Sequence, residues 1–220
     1  MIRHIVWDWN GTLVDDVAAC VATLNVLLRR HGLPPVTVRQ YRERFGFPVR
    51  SYYERIGFDF SRHDWDEIAI GFHKIYRVAS RGCRLRRGAR PALARLREKG
   101  YVMSILSACE TALLEEMVTA RGIRGAFDGL YGMDDFYAHS KVDAGRRLLE
   151  RLGGDADRLL MVGDTVHDAD VAGELGCQAV LLCGGHQSRR RLLETGRPVM
   201  STVAHVLRWL DPPAPPAGPA

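Results

Sequence analysis

Lysine is scarce in this chain. Of 31 basic residues among 220, only Lys74, Lys99 and Lys141 are lysine, and the rest are arginine. Long apolar runs are missing too, so neither a secretory leader nor a membrane span is expected. The five cysteines, Cys20, Cys83, Cys109, Cys177 and Cys183, are odd in number, scattered and free of any CxxC pair. Such spacing argues against a disulfide framework or a zinc site and favours a reducing, cytoplasmic location. The arginines are spread over many segments rather than gathered on one face with aromatics, so the net charge of +5 does not point to a nucleic-acid partner. It does favour anionic small molecules. Nothing in the pattern distinguishes a monomer from a homodimer.

What is present is alternation. Strand patterns are predicted at 3–7, 101–106, weakly at 130–131, at 159–162 and at 179–182. Helical patterns lie between or after them at 17–30, 89–99, 110–120, 142–152, up to Leu175, at 189–194 and at 203–210. Strands alternating with helices mean βαβ units and a parallel sheet. The expected fold is α/β, a doubly wound, Rossmann-like parallel-sheet core with a small helical cap inserted after the first strand. The core is assigned residues 1–15 and 82–211, and the cap residues 16–81, where aromatics are dense and no strong strand is seen. Hinges are expected near 14–16 and 82–86. The Pro-rich tail, 212–220, is expected to be disordered.

In open parallel sheets, ligands bind beyond the carboxyl ends of the strands. After the first strand stand Asp8, Asn10, Gly11 and Thr12, on what reads as the opening of a helix. After the second come Ser107, Ala108 and Cys109, and after the third Asp134 and Asp135, followed by Lys141 at a helix start. After the fourth come Gly163, Asp164, Asp168 and Asp170. Two carboxylates from different strands, Asp8 and Asp164, suit Mg²⁺, which takes a few oxygen ligands and leaves places for water and phosphate oxygens. A lysine, a hydroxyl and backbone N–H groups at Gly11-Thr12 suit a phosphoryl group. The sum is phosphoryl transfer to a carboxylate. His139, His167, Asp134, Asp135 and Asp170 are read as bland neighbours, and Cys109 as a buried thiol.

In this order, DWNGT, the serine ending SILS, Lys141 and GDTVHD resemble the four motifs of the haloacid dehalogenase superfamily of phosphohydrolases, and of its phosphoglycolate-phosphatase-like branch. The resemblance spans nearly the whole chain. It implies Asp8 as nucleophile and Mg²⁺ ligand, the backbone carbonyl of Asn10 and the carboxylate of Asp164 as further ligands, and Asp168 as holder of a metal-bound water or of Lys141. It implies Ser107, Ala108 and Lys141 as the phosphoryl grip, and a small phosphorylated substrate. Arg50 and Tyr53 in the cap are candidates to face that substrate.

One residue departs from the family pattern. Where the second aspartate of motif one would protonate the leaving oxygen, this chain has Asn10, which cannot exchange a proton near pH 7. Losing such help costs typically 10²–10⁴-fold. The chain is therefore read as a Mg²⁺-dependent phosphohydrolase working through an aspartyl-phosphate. The alternatives are a catalytically impaired phosphate-ligand sensor and a phosphonate C–P hydrolase, whose imine-forming cap lysine could only be Lys74. The Asn10-Gly11 dipeptide also invites deamidation to aspartate.

Overall fold

The computed structural model describes residues 1–133 and 141–210. Asp134, Asp135, His139 and the expected tail at 212–220 lie outside the described residues. The core elements before the insertion are β1 (His4–Trp7) and β2 (Val14–Asp15). The insertion carries α1 (Val17–Arg30), α2 (Val38–Arg44), α3 (Val49–Arg55) and α4 (Trp65–Ala79). After it come β3 (Arg84–Leu85), α5 (Ala89–Glu98), β4 (Val102–Glu110), α6 (Thr111–Ala120), β5 (Gly129–Met133), α7 (Lys141–Arg151), β6 (Leu159–Gly163), α8 (Val166–Leu175), β7 (Gln178–Leu182), α9 (Arg189–Leu193), β8 (Val199–Met200) and α10 (Val203–Leu210).

Six strands pair in the order β5-β4-β1-β6-β7-β8, and every pairing is parallel. The run Ile5-Val6-Trp7 is apolar at every position because the strand is covered on both faces. Ile5 and Trp7 pack with α5, α6 and α10, while Val6 packs with α7 and α8 on the other side. β1 sits between β4 and β6, with His4 paired to Val102 on one side and to Leu159 on the other. Three strands distant in sequence thus deliver their carboxyl ends to one place.

The inserted helices share an apolar core of their own, which includes Leu24, Leu28, Tyr41, Tyr52, Tyr53 and Ile68. Two of the four, α2 and α4, start on side-chain caps. Thr37 and Gln40 form a reciprocal capping box on α2, and the Asp64 carboxylate accepts from the Glu67 N–H on α4, each cap contributing about 1 kcal/mol. The chain enters and leaves the insertion through a two-residue antiparallel ribbon, with Val14 opposite Leu85 and Asp15 opposite Arg84. β2, β3 and β8 were not expected, since two residues are too few to show a period. β4 runs four residues past its expected end, through a register shift between Leu106 and Glu110. No helix among the described residues is long and apolar enough to cross a membrane.

Candidate active site

The turn after β1 departs from the sequence reading. Residues 10–13 do not open a helix. They form a tight turn, closed by the Leu13 and Val14 N–H groups donating to the Trp9 carbonyl, and the chain passes into β2 before α1 begins at Val17. Gly11 therefore offers no helix N-terminus to an anion. Its N–H is already committed, to the Val14 carbonyl at 3.0 Å and the Asp16 carboxylate at 2.8 Å. Its φ is +74°, and a Cβ there would lie 2.4 Å from an Asp164 oxygen, so only glycine lets the turn pass under that carboxylate. The Thr12 hydroxyl is likewise occupied, donating to Asp164 at 2.7 Å.

Around this turn the expected acidic residues converge. The Asp8 N–H donates to the Val162 carbonyl at 2.8 Å, which fixes the end of β1 beside β6. Asp164 directly follows β6, and Asp168 lies in the first turn of α8. One Asp168 oxygen caps that helix, accepting from the N–H groups of Asp164 and Thr165 and from the Thr165 hydroxyl at 2.7–3.1 Å. Its other oxygen faces Lys141. The Lys141 ammonium, 4% exposed, donates to Asp8 and to Asp168 at 2.6 Å each. Ligand atoms of Asp8, Asp164 and Asp168 all lie within 4.8 Å of one another, and all three side chains are buried.

Charge in this cluster does not balance. Burial raises the Asp8 carboxyl; Lys141 opposes this, Asp168 and Asp164 add to it, and the balance lies at about 8. Burial likewise raises Asp164. Burial also works against the Asp168 carboxylate, but Lys141 outweighs it and holds that group below its ordinary range. Burial opposes the Lys141 ammonium as well, and the two carboxylates more than offset that. Three buried carboxyl groups thus share one ammonium, too little positive charge to keep all three ionised, in a space lined by hard oxygen donors. That donor set fits a hard divalent cation such as Mg²⁺.

Asn10 turns away from this cluster. Its amide nitrogen donates to Asp16 at 2.8 Å and to the Tyr76 hydroxyl at 2.7 Å. Asp16 is wholly buried and also accepts from the Tyr76 hydroxyl at 2.6 Å and contacts His186 Nε2 at 3.2 Å. Burial alone would raise Asp16, but the His186 imidazolium and the bonds from Tyr76 and Asn10 pull it down to about 2. In return Asp16 outweighs the burial of His186 and lifts it to about 9. A carboxylate at position 16 forces the nitrogen, not the oxygen, of Asn10 toward it. Sequence reasoning missed Asp16, Tyr76 and His186. The signal available was the doubled Asp15-Asp16, in which Asp15 is exposed and Asp16 is not.

The remaining expected residues divide. Ser107 is fully buried and its hydroxyl accepts from the Cys109 N–H at 3.1 Å. Ala108 lines the large cavity over the cluster, as do Cys109 and Tyr53. Burial pushes the Cys109 thiol up to about 12, which agrees with an inert thiol. Arg50 stands over the ring of Phe60 at 5.0 Å and beside Glu54 at 3.9 Å, half-exposed. His167 is not the surface neighbour expected; it is half-buried, stacked on Phe47 at 4.4 Å, and lines the cavity. Lys74 is exposed and is not part of the cavity wall, so nothing there supports an imine-forming lysine.

The haloacid dehalogenase-like hydrolase family model matches residues 5–182, which runs from Ile5 in β1 to the end of β7. The chain belongs to the haloacid dehalogenase-like hydrolases. Curated relatives include a phosphoglycolate phosphatase of Synechococcus elongatus, 25% identical over 94% of this chain and 100% of its own length. A phosphoglycolate phosphatase of Mesorhizobium japonicum is 30% identical over 84% of each chain. Among solved structures, a haloacid dehalogenase-like protein of unknown function from Agrobacterium tumefaciens superposes with a TM-score of 0.80, at 23% identity, over 96% of this chain and 98% of that one. That likeness bears on the fold, which is the Rossmann-like α/β fold with a helical insert. Membership makes the chain a hydrolase, and its relatives are phosphatases.

Proposed function

We propose that this hydrolase is a Mg²⁺-dependent phosphatase of phosphate monoesters that works through a phosphorylated Asp8. The observation that carries this reading is the convergence of Asp8, Asp164 and Asp168 at the carboxyl end of the sheet, with Lys141 bonded to Asp8 and Asp168. Asp8 and Asp164, with the carbonyl of residue 10, would hold the cation, which supplies charge neutralisation at the phosphoryl group when bound. The helices between β2 and β3, residues 16–81, act as a cap over this edge, hinged at the β2–β3 ribbon.

An Asp8 oxygen attacks phosphorus, the bond to the ester oxygen breaks, and the electron pair leaves with that oxygen. Lys141, held against Asp8 and Asp168, is placed to neutralise charge on the phosphoryl oxygens. Asp168 positions Lys141 through one oxygen while its other is fixed by the start of α8. The leaving oxygen takes its proton from water, because the Asn10 nitrogen is turned to Asp16 and Tyr76 and carries no exchangeable acid. Water then attacks the phosphorus of the aspartyl-phosphate, releasing inorganic phosphate and restoring the Asp8 carboxylate.

The same observation favours a second reading, in which the phosphoenzyme forms and hydrolyses slowly, so that the chain serves as a phosphate-ligand sensor. Turnover of alkyl and aryl phosphates with Mg²⁺ separates the two. A working phosphatase turns over many equivalents with a rate that falls steeply as the leaving oxygen becomes more basic. A sensor stops at one equivalent whatever the ester.

A further inference from the structure

The cavity above Asp8 measures about 820 Å³, toward the upper end of pockets that enclose drug-sized ligands. Its floor is the charged cluster, with Asp8, Lys141, Asp164 and Asp168 all reaching it. Its walls are of another kind. Phe45, Tyr53, Trp65 and Phe72 from the inserted helices, Leu24 from α1 and Leu113 from α6 line the space above the floor. The aromatic wall is ordered by ring contacts. Tyr41 stacks on Phe45 at 4.8 Å, Phe45 meets Tyr52 edge-on at 5.4 Å, and Tyr53 meets Trp65 edge-on at 5.6 Å.

Among the described residues, the lysine and arginine side chains on this wall are two, and both have partners. Lys141 faces Asp8 and Asp168, and Arg50 lies over Phe60 beside Glu54. Three histidines also reach the wall: His186 is paired with Asp16, His167 is stacked on Phe47 at 4.4 Å, and His73 meets Phe72 edge-on at 5.8 Å. A substrate with a carboxylate besides its phosphate, such as phosphoglycolate, would have to bury that charge on a wall where rings predominate and both the lysine and the arginine are already engaged, which is costly. It would also leave most of the cavity unfilled.

Resting on the phosphatase reading above, we infer that the preferred substrate is the phosphate monoester of a bulky, uncharged, ring-bearing alcohol, with its phosphate on the acidic floor and its ring against the wall formed by Phe45, Tyr53, Trp65 and Phe72. Each methylene buried adds about fourfold to binding, so a phenylalkyl group exceeds an ethyl group by about 100-fold or more.

The test uses the wild-type chain with Mg²⁺ and three alkyl esters whose leaving oxygens are similarly basic: ethyl phosphate, 2-phosphoglycolate and 3-phenylpropyl phosphate. The expected result is a kcat/KM at least about 100-fold higher for the phenylpropyl ester, carried mainly by KM. Phosphoglycolate equal to or better than the phenylpropyl ester overturns the inference. Calorimetric binding of 3-phenylpropylphosphonate against 2-carboxyethylphosphonate is measured alongside, since neither can be hydrolysed. Preference for the phenyl compound with no turnover of any ester upholds the ring-binding wall and sinks the phosphatase reading. Turnover with the phosphonate order reversed does the opposite, and binding of neither compound more tightly than inorganic phosphate sinks both.

Discussion

Two surfaces face each other across the cavity, and they are built on opposite terms. The sheet edge is polar and interlocked: each oxygen of Asp168 and each oxygen of Asp164 has a partner, and Lys141 is shared between two carboxylates. The opposing wall of the inserted helices is mostly rings, with the hydroxyls of Tyr41 and Tyr76 turned to His186 and Asp16 and that of Tyr52 buried without a hydrogen-bond partner among the described residues. The first surface fixes a reaction, because its groups have one geometry in which their charges are tolerable. The second fixes a shape, and shape can change without touching the chemistry.

The strongest way to break this contrast is at Lys141. Replacing it with methionine leaves Asp8 and Asp168 buried without their cation, and breaking such a pair by removing one partner costs about 3–5 kcal/mol. Chemical denaturation is expected to show that loss, and Mg²⁺ is expected to recover part of it, since a cation binding only the folded state stabilises it. A loss under 1 kcal/mol would mean that the cluster is not held by its charges.

Next is Asn10. Restoring the family's aspartate does not simply restore activity, because a carboxylate at position 10 would stand against Asp16. Asn10→Asp is expected to lower stability by about 1–3 kcal/mol and to raise turnover little. The paired exchange Asn10→Asp with Asp16→Asn, which keeps one amide and one carboxylate in contact, is expected to regain most of that stability. Non-additivity in the double-mutant cycle is the readout. If Asn10→Asp alone gains 10²-fold in turnover with no loss of stability, Asp16 does not govern this position.

The Asp16–His186 pair predicts a pH dependence. His186 is raised from 6.5 to about 9 on folding, so its contribution is full below pH 6.5 and is lost as pH rises through 9. Asp16 is lowered from 3.8 to about 2, so its contribution is full above pH 3.8 and is lost as pH falls through 2. Stability is therefore expected to decline by about 3 kcal/mol between pH 6.5 and 9, and His186→Gln to flatten that decline. An unchanged slope in the variant would assign the decline elsewhere.

The smallest effects fall on the cap rim and on ageing. Arg50→Ala is expected to change stability by less than about 0.5 kcal/mol, since its ion pair is exposed, and to change KM for the esters less than twofold. Deamidation at Asn10-Gly11 is expected to be slow in the folded chain, because the Gly11 nitrogen that would attack is buried and donates to Val14 and Asp16. Mass spectrometry of that peptide after ageing with and without denaturant tests this; equal gain in both samples contradicts it.

Much of this was legible in the chain. Apolar strands closed by Asp8 and Asp164 announce a parallel sheet and its reactive edge, since burial on both faces leaves no polar alternation to misread. Helix α1 was read to its ends because Leu24, Leu27 and Leu28 keep the helical period and Gly32 stops it. What escaped was whatever depends on distance in sequence. The turn at residues 10–13 looked like a helix start because its N–H partners, the Trp9 carbonyl and the Asp16 carboxylate, make a turn that no local pattern announces. Asp16 and His186 are 170 residues apart, so the doubled Asp15-Asp16 could hint at a special carboxylate but nothing local names its partner. The aromatic wall was visible only as composition, with no way to tell rings that fill the cap from rings that line its cavity.

The central claim is that Asp8 receives the phosphoryl group. The most direct measurement is acid quenching of the freshly prepared chain during reaction with an activated aryl phosphate and Mg²⁺, followed by mass spectrometry of the peptide containing Asp8, beside Asp8→Asn. The account predicts a phosphoryl mass gain on that peptide in the wild type, none in the variant, and no turnover by the variant. Turnover by Asp8→Asn, or a phosphoryl group found on another residue, would contradict it.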